Sequence, residues 1–252
     1  MRSEPDDFEA NVCFNGLADP RKWIRERLPE LPYPLLPTYF GDGESPIKRD
    51  EYRIDNGSAF ERYFSGPRKG LGFFADGFWM SFDLYSETSS RLTVFARARF
   101  APHCRALLTE LDAAGAEWGG AGMRNESASR NFLELELEYT PGGRATGWRG
   151  RDHARYVPGL YWLNYWSHEY IAARKLDPDA VVSALGGEIT PLANGIILQL
   201  YDRCDDWTSK RQEVDDFLEA SPAFFSMRQV DVPRLMTPKD VNKFLALHRK
   251  WP

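Results

Sequence analysis

An acidic turn is the densest group of chemistry-bearing side chains in the sequence. It runs from Asp202 to Trp207 and places the carboxylates of Asp202, Asp205 and Asp206 beside an indole. Closely spaced carboxylates bind divalent cations or steer a basic partner, and a neighbouring Trp supplies the apolar area of an interface anchor. The oxygen ligand pattern and central Gly of an EF-hand loop are missing, so metal binding is the weakest interpretation. A helix-capping role for Asp205 or Asp206 and a partner-binding role remain evenly balanced.

Three further groups have side chains of catalytic type, and each has a simpler structural explanation. His103 and Cys104 are adjacent in the first turn of a predicted helix, where side chains about 100° apart cannot easily grip one metal ion. His168 and Glu169 follow a predicted N-cap, where a carboxylate suits the helix dipole. The basic stretch from Arg144 to Arg155 is rich in Gly and favours a solvated loop over a phosphate-binding patch.

The sequence also lacks the short motifs that carry common enzyme chemistry. There is no G-x-S-x-G, P-loop, G-x-G-x-x-G, H-E-x-x-H or paired Cys-x-x-Cys. We therefore expect no catalytic residues, no cofactor and no bound metal.

The elements around the acidic turn are well marked in the sequence. Apolar stretches 189–193 and 196–201 flank Asn194-Gly195, which is a strong hairpin signal. A helix from Thr208 to Ala220 follows the turn. The turn is therefore expected between a hairpin strand and a helix.

The rest of the chain mixes strands and helices without βαβ alternation, which predicts an α+β fold with mostly antiparallel pairing and packed helices. We expect one domain over 1–252, with possible similar halves 1–145 and 146–252. Gly119 to Gly122 is predicted to be a flexible connection. The other predicted strands are 73–74, 78–85, 92–97, 133–139 and 160–166, and the other predicted helices begin at Pro20, Pro102, His168, Pro178 and Pro238.

Composition limits the classes of partner. The 32 basic and 37 acidic side chains give a formal charge of −5, which disfavours stable binding to nucleic acid or to an anionic membrane. The three cysteines are far apart and odd in number, which is typical of reduced thiols. No secretory signal or long apolar segment occurs, so a cytoplasmic location is expected.

The C-terminal half resembles bacterial immunity proteins that are encoded beside type VI secretion and polymorphic toxin effectors. The resemblance covers about residues 147 to 226 and rests on packing motifs. The matching segments are Gly147–Asp152, Gly159–Tyr170, Gly195–Asp202, Asp206-Trp207 and Ala223–Phe225. The turn Ser167-His168-Glu169 departs from the Gly-Pro type of turn expected at that place.

This resemblance implies an α+β protein without a catalytic motif that binds and neutralises one cognate toxin in the cytoplasm. An acidic chain rich in aromatic residues is compatible with such binding. Two alternatives remain open, which are a hydrolase that reverses the toxin's modification and an adaptor of the secretion apparatus. The predicted contacts with the toxin are Asp202, Asp205, Asp206 and Trp207.

Overall fold

A computed structural model describes most of the chain, which divides into two compact units. The first unit comprises Met1–Arg124 and Tyr161–Trp207, and the second comprises Asn125–Leu160 and Thr208–Pro252. The similarity of the expected halves 1–145 and 146–252 stays a prediction. The described residues are 8–15, 20–32, 34–42, 46–65, 70–86, 89–140, 143–150, 157, 159–221, 224 and 235–236.

The strands and helices have the following bounds. The strands are β1 Phe8–Asn15, β2 Tyr39–Gly41, β3 Gly70–Ala75, β4 Phe78–Ser86, β5 Ser89–Ala96, β6 Trp118–Met123, β7 Phe132–Thr140, β8 Gly143–Gly150, β9 Leu163–Ser167, β10 Glu188–Pro191, β11 Gly195–Gln199 and β12 Leu235–Met236. The helices are α1 Pro20–Arg27, α2 Gly57–Phe64, α3 Ala101–Ala113, α4 Arg124–Asn131, α5 His168–Arg174, α6 Pro178–Leu185 and α7 Trp207–Ala220.

The first unit is built on a nine-stranded sheet in the order β10-β11-β9-β6-β1-β5-β4-β3-β2. Its strand pairs are antiparallel. The second unit contains a smaller sheet in the order β12-β7-β8, in which β7 and β8 are antiparallel and β12 runs parallel to β7. The predicted α+β fold with mostly antiparallel pairing is confirmed.

Period-two alternation gives the large sheet two different faces. Residues that pair across β3, β4, β5 and β1 on one face are mainly apolar and buried, as in the row Phe73, Met80, Val94 and Ala10. Helix α2 packs on this face through Phe60, whose ring centroid lies 6.4 Å from that of Phe73. We call this the helix-covered face and the other the opposite face.

The segment from Gly119 to Gly122 forms the middle of β6, so the predicted flexible connection is wrong. This strand lies between β1 and β9 near the centre of the large sheet. A Cβ atom at Gly120 would collide with the ring of Tyr161, and one at Gly119 would lie 3.2 Å from the Asn11 carbonyl oxygen. These glycines therefore allow close packing on a strand, which the absence of side chains conceals in the sequence.

The hairpin predicted at Asn194-Gly195 is confirmed. β10 and β11 pair antiparallel, and the Leu192 amide donates to the Gly195 carbonyl at 2.8 Å. The predicted helix starts at 168 and 178 are also correct, because Ser167 and Asp177 accept hydrogen bonds from the Tyr170 and Ala180 amides.

Part of the basic stretch predicted as a loop is a strand instead. Residues 143–150 form β8, which pairs with β7 through backbone hydrogen bonds that a loop reading of the glycines does not anticipate. The remainder of that stretch, and the helix predicted to begin at Pro238, lie outside the described residues. Within the described ranges, none of the helices is long and apolar enough to cross a membrane.

Candidate functional site

One of the three carboxylates of the acidic turn is paired with the arginine inside it. The Arg203 guanidinium donates to both carboxylate oxygens of Asp205, at 2.9 and 2.6 Å. The Arg203 amide donates to Asp206 Oδ2 at 3.2 Å, which is a capping contact at the 3₁₀ turn Cys204–Asp206. The hydrogen bond from Arg203 lowers the pKa of the Asp205 carboxyl. The Asp206 contact caps the 3₁₀ turn, and a cap by Asp205 or Asp206 on the helix that follows stays a prediction.

Trp207 is part of the core of the first unit, with 6% of its surface exposed. An interface anchor needs an accessible side chain, so the indole does not present one in this structure. The side chains of Asp202 and Asp205 are exposed. A binding role for the acidic turn stays a prediction and would depend on these two carboxylates.

The other candidates from the sequence do not converge on one site. Cys104 is buried, whereas the His103 ring lies beside the Phe100 ring, with centroids 6.4 Å apart. His168 and Glu169 are exposed at the start of α5. In the part of the chain that the structure describes, no group of three or more His, Cys, Asp or Glu side chains is placed to hold a metal ion.

One buried polar cluster has a structural role. Tyr165 donates to the buried carboxylate of Asp112 at 2.9 Å, and the Asn194 amide donates to the same carboxylate at 3.2 Å. Burial, together with the hydrogen bond and charge of Asp112, raises the pKa of Tyr165. The cluster fixes the tip of the β10–β11 hairpin to the C-terminal end of α3.

The opposite face of the large sheet carries a stack of aromatic rings that the sequence reading did not single out. Phe74, Trp79 and Phe95 pair across β3, β4 and β5. The Phe74 and Trp79 centroids are 6.4 Å apart, and the Trp79 and Phe95 centroids are 4.4 Å apart, with interplanar angles of 19° and 24°. Trp79 and Phe95 are half-buried.

Arg124 completes this stack on the side of Phe95. The residue directly follows β6, and its guanidinium carbon lies 5.4 Å from the centroid of Phe95. Its side chain is exposed. We call Phe74, Trp79, Phe95 and Arg124 the aromatic ridge.

The geometry of the ridge limits what it can bind. The strand order places Trp79 between Phe74 and Phe95, and Phe95 between Trp79 and Arg124, so the inner ring faces are occupied. A sugar or nucleobase binds an aromatic side chain through a free ring face. Phe74 is buried, so the ridge offers the edges of Trp79 and Phe95 and a guanidinium. This combination suits the apolar and acidic side chains of a protein partner.

A polar row lies beside the ridge on the same face. Thr93 donates to Asn11 Oδ1 at 3.0 Å, and Asn11 Nδ2 donates to Glu9 at 2.5 Å. Glu9 is the register partner of Phe95 on β1. Thr93 is buried, and Asn11 and Glu9 are half-buried, so the row places partly accessible polar groups next to the aromatic rings.

Alternation in the sequence was the clue to the ridge. In β4 the residues Trp79, Ser81 and Asp83 alternate with buried Phe78, Met80 and Phe82. The alternation separates the two faces, but the lateral order of β3, β4 and β5 is needed before the three rings meet.

The comparisons with known proteins show a structural likeness but no family. No family model matches the chain, and no curated protein matches it. Among solved structures the chain is similar to the Pseudomonas aeruginosa T6SS protein PA0821, a protein named for the type VI secretion system, with a TM-score of 0.47 and 14% sequence identity. The match covers 77% of this chain and 64% of that chain, which is less than two thirds of its length.

Proposed function

We propose that this chain is an immunity protein that binds and neutralises a cognate secreted antibacterial toxin acting in the cytoplasm. The sequence resemblance across residues 147–226 supports this function. The observation that carries it in the structure is the aromatic ridge on the opposite face of the large sheet. The ridge is a preorganised contact surface, and the described residues around it contain no metal-binding group.

The composition of the ridge is that of an interaction hot spot. Trp, Tyr and Arg dominate the binding energy of protein interfaces, because large rigid side chains bury much area at low entropic cost. Stacking holds Trp79 and Phe95 in place before the partner arrives, with centroids 4.4 Å apart. Preorganisation of this kind lowers the entropic cost of binding.

The acidic turn is proposed as a second contact. Asp202 and Asp205 are exposed, so their charges can steer a basic patch of the toxin towards the complex. Trp207 would act indirectly, by fixing the turn from inside the core. In this arrangement the ridge supplies most of the affinity, and the turn mainly raises the association rate.

Neutralisation by binding needs no chemical step in this protein. A complex that covers the toxin's active site, or holds the toxin in an inactive shape, is sufficient, and a standard interface buries about 1,600 Å² in total. The proposal therefore predicts a stable complex and protection that depends on the ratio of the two proteins.

The direct test is co-expression with the effector encoded beside this gene. We expect the effector alone to arrest growth, and the co-expressed pair to grow normally and to copurify as a complex. A Trp79→Ala variant should lose protection. The matched control is Ile47→Ala, which removes an exposed apolar side chain, 43% accessible, outside the ridge.

Two outcomes would favour the alternatives. Protection at amounts of this protein far below those of the toxin, without a detectable complex, would favour a hydrolase that reverses the modification. Copurification with secretion components, but no protection from the effector, would favour an adaptor.

A further inference from the structure

We infer that Arg124 binds an acidic side chain of the toxin, and that an apolar side chain beside this acid contacts the edges of Trp79 and Phe95. The inference rests on the proposed function and adds the chemistry of the partner. It commits the aromatic ridge to one occupant, a surface segment of the toxin in which a carboxylate and an apolar residue are neighbours.

The first support is the position of Arg124. Its guanidinium carbon lies over the Phe95 ring, 5.4 Å from the centroid, which is a cation–π contact that restricts the side chain. A guanidinium presents its N–H donors as a fork that matches two carboxylate oxygens. Much of the entropy that a free Arg loses on binding is therefore lost before the partner arrives.

The second support is that Arg124 is exposed and forms no ion pair within the described ranges. Three other exposed arginines of the same unit, Arg27, Arg49 and Arg203, each pair with a carboxylate of the chain. The Arg124 guanidinium is therefore available to pair with an acidic side chain of the toxin.

The third support is the chemistry around the ridge. The nearest acid by strand register is Glu9, whose carboxylate accepts a hydrogen bond from Asn11. Because Glu9 and Asp83 lie on the same face and the whole chain carries a formal charge of −5, the surroundings disfavour a polyanion such as nucleic acid. The occupied ring faces also leave no place for base stacking. A single carboxylate with an apolar neighbour fits both conditions.

The test measures the affinity of the purified effector for variants at Arg124. Arg124→Gln keeps much of the stem and removes the charge, and we expect binding about 30-fold weaker. Arg124→Lys keeps the charge but not the fork, and we expect an intermediate loss of about 10-fold. The matched control is Arg99→Gln, since the exposed Arg99 has its guanidinium carbon 5.3 Å from the Phe100 centroid but lies outside the ridge. Its affinity should equal that of the wild type.

A charge-reversal experiment identifies the acid itself. We expect Arg124→Glu to abolish binding, and one Asp or Glu to Lys change on the effector to restore it. Unchanged affinity in Arg124→Gln, while the wild type binds and protects, would overturn this inference and leave the proposed function standing. Failure of the wild type to bind the effector would overturn both.

A single-stranded oligonucleotide serves as the probe for the other class of occupant. Tight binding to the wild type that is lost in Arg124→Gln would overturn the carboxylate inference in favour of nucleic acid. Equal and negligible binding by both proteins is the expected result.

Discussion

The acidic turn and the aromatic ridge are opposites in how they use the same kinds of side chain. At the turn, the Arg203 guanidinium already pairs with Asp205, and Trp207 lies in the core. At the ridge, the Arg124 guanidinium rests on a ring, and Trp79 is half-buried on the sheet. The turn pairs its arginine with one of its own carboxylates, whereas the ridge presents a cation to solvent.

The difference teaches that a cluster of charges in sequence is not the same as available charge. An exposed ion pair contributes little to stability, but it also reduces the net field that a partner would feel. A cation held over an aromatic ring keeps its hydrogen-bond donors for a partner. Partnering inside the fold therefore decides which cluster is the better candidate for binding.

The largest effect is expected at Trp207, which stabilises the fold, whereas Trp79 is proposed to stabilise the complex. Because Trp207 is buried, we expect Trp207→Ala to lower the free energy of unfolding by about 3–5 kcal/mol. The affinity of the folded fraction for the effector should change little, because Trp207 affects binding only through the turn that it supports. Urea unfolding followed by titration at a temperature where the variant is folded measures both. A loss of affinity in fully folded Trp207→Ala would restore the indole as a contact.

Gly120 tests whether Tyr161 covers β6 in the large sheet. This glycine lies under the ring of Tyr161, so we expect Gly120→Ala to lower the free energy of unfolding by about 1–3 kcal/mol through overpacking. The control is Gly57→Ala, where nothing lies within 4 Å of the added carbon. Thermal melts of both variants check the prediction. Equal melting temperatures would mean that Tyr161 does not cover the strand.

Alkaline pH should weaken the buried cluster of Tyr165, Asp112 and Asn194, which holds the β10–β11 hairpin. The pKa of Tyr165 is raised in the folded protein, so its contribution is complete below the unfolded value near 10 and is lost as pH rises above that value. Tyr165→Phe also removes the hydrogen bond to Asp112, which costs about 1–3 kcal/mol at neutral pH.

Unfolding measurements from neutral pH to pH ~11 test the sign of this dependence. The free energy of unfolding should fall less steeply above pH ~10 in Tyr165→Phe than in the wild type. Identical slopes in the two proteins would contradict a raised pKa at this position.

The smallest effect is expected at the exposed carboxylate of the turn. Asp205→Asn removes one side of the ion pair with Arg203, and we expect no measurable change in melting temperature because both side chains are exposed. The association rate with the effector should fall slightly, and its salt dependence should weaken. Stopped-flow binding at two salt concentrations checks this. A large rise in the dissociation rate would instead make Asp205 a central contact.

Local elements of the fold could be predicted because local signals define them. Pro178 after a capping Asp177 begins a helix, and Asn194-Gly195 closes a hairpin, whatever lies far away in sequence. β6 could not be recognised, because Gly119 and Gly120 carry no side chains to show period-two alternation. The order of strands in a sheet depends on pairing between distant segments, which local patterns do not encode.

The same limit explains what was missed in the site. The sequence places Phe74, Trp79 and Phe95 on three separate strands, and the lateral order of those strands brings them into one stack. It also shows Asp205 as a charge without showing that Arg203 folds back on it. The sequence identifies the type of each residue, but it does not predict which side chains contact one another in the folded chain.

The affinity of the effector for Trp79→Ala tests the central claim most directly. The claim is that this protein neutralises a toxin by binding it through the aromatic ridge. We predict that Trp79→Ala, shown to be folded by circular dichroism, binds the effector at least about 30-fold more weakly than the wild type, while Asp205→Asn stays close to it. Wild-type affinity in folded Trp79→Ala would contradict the account.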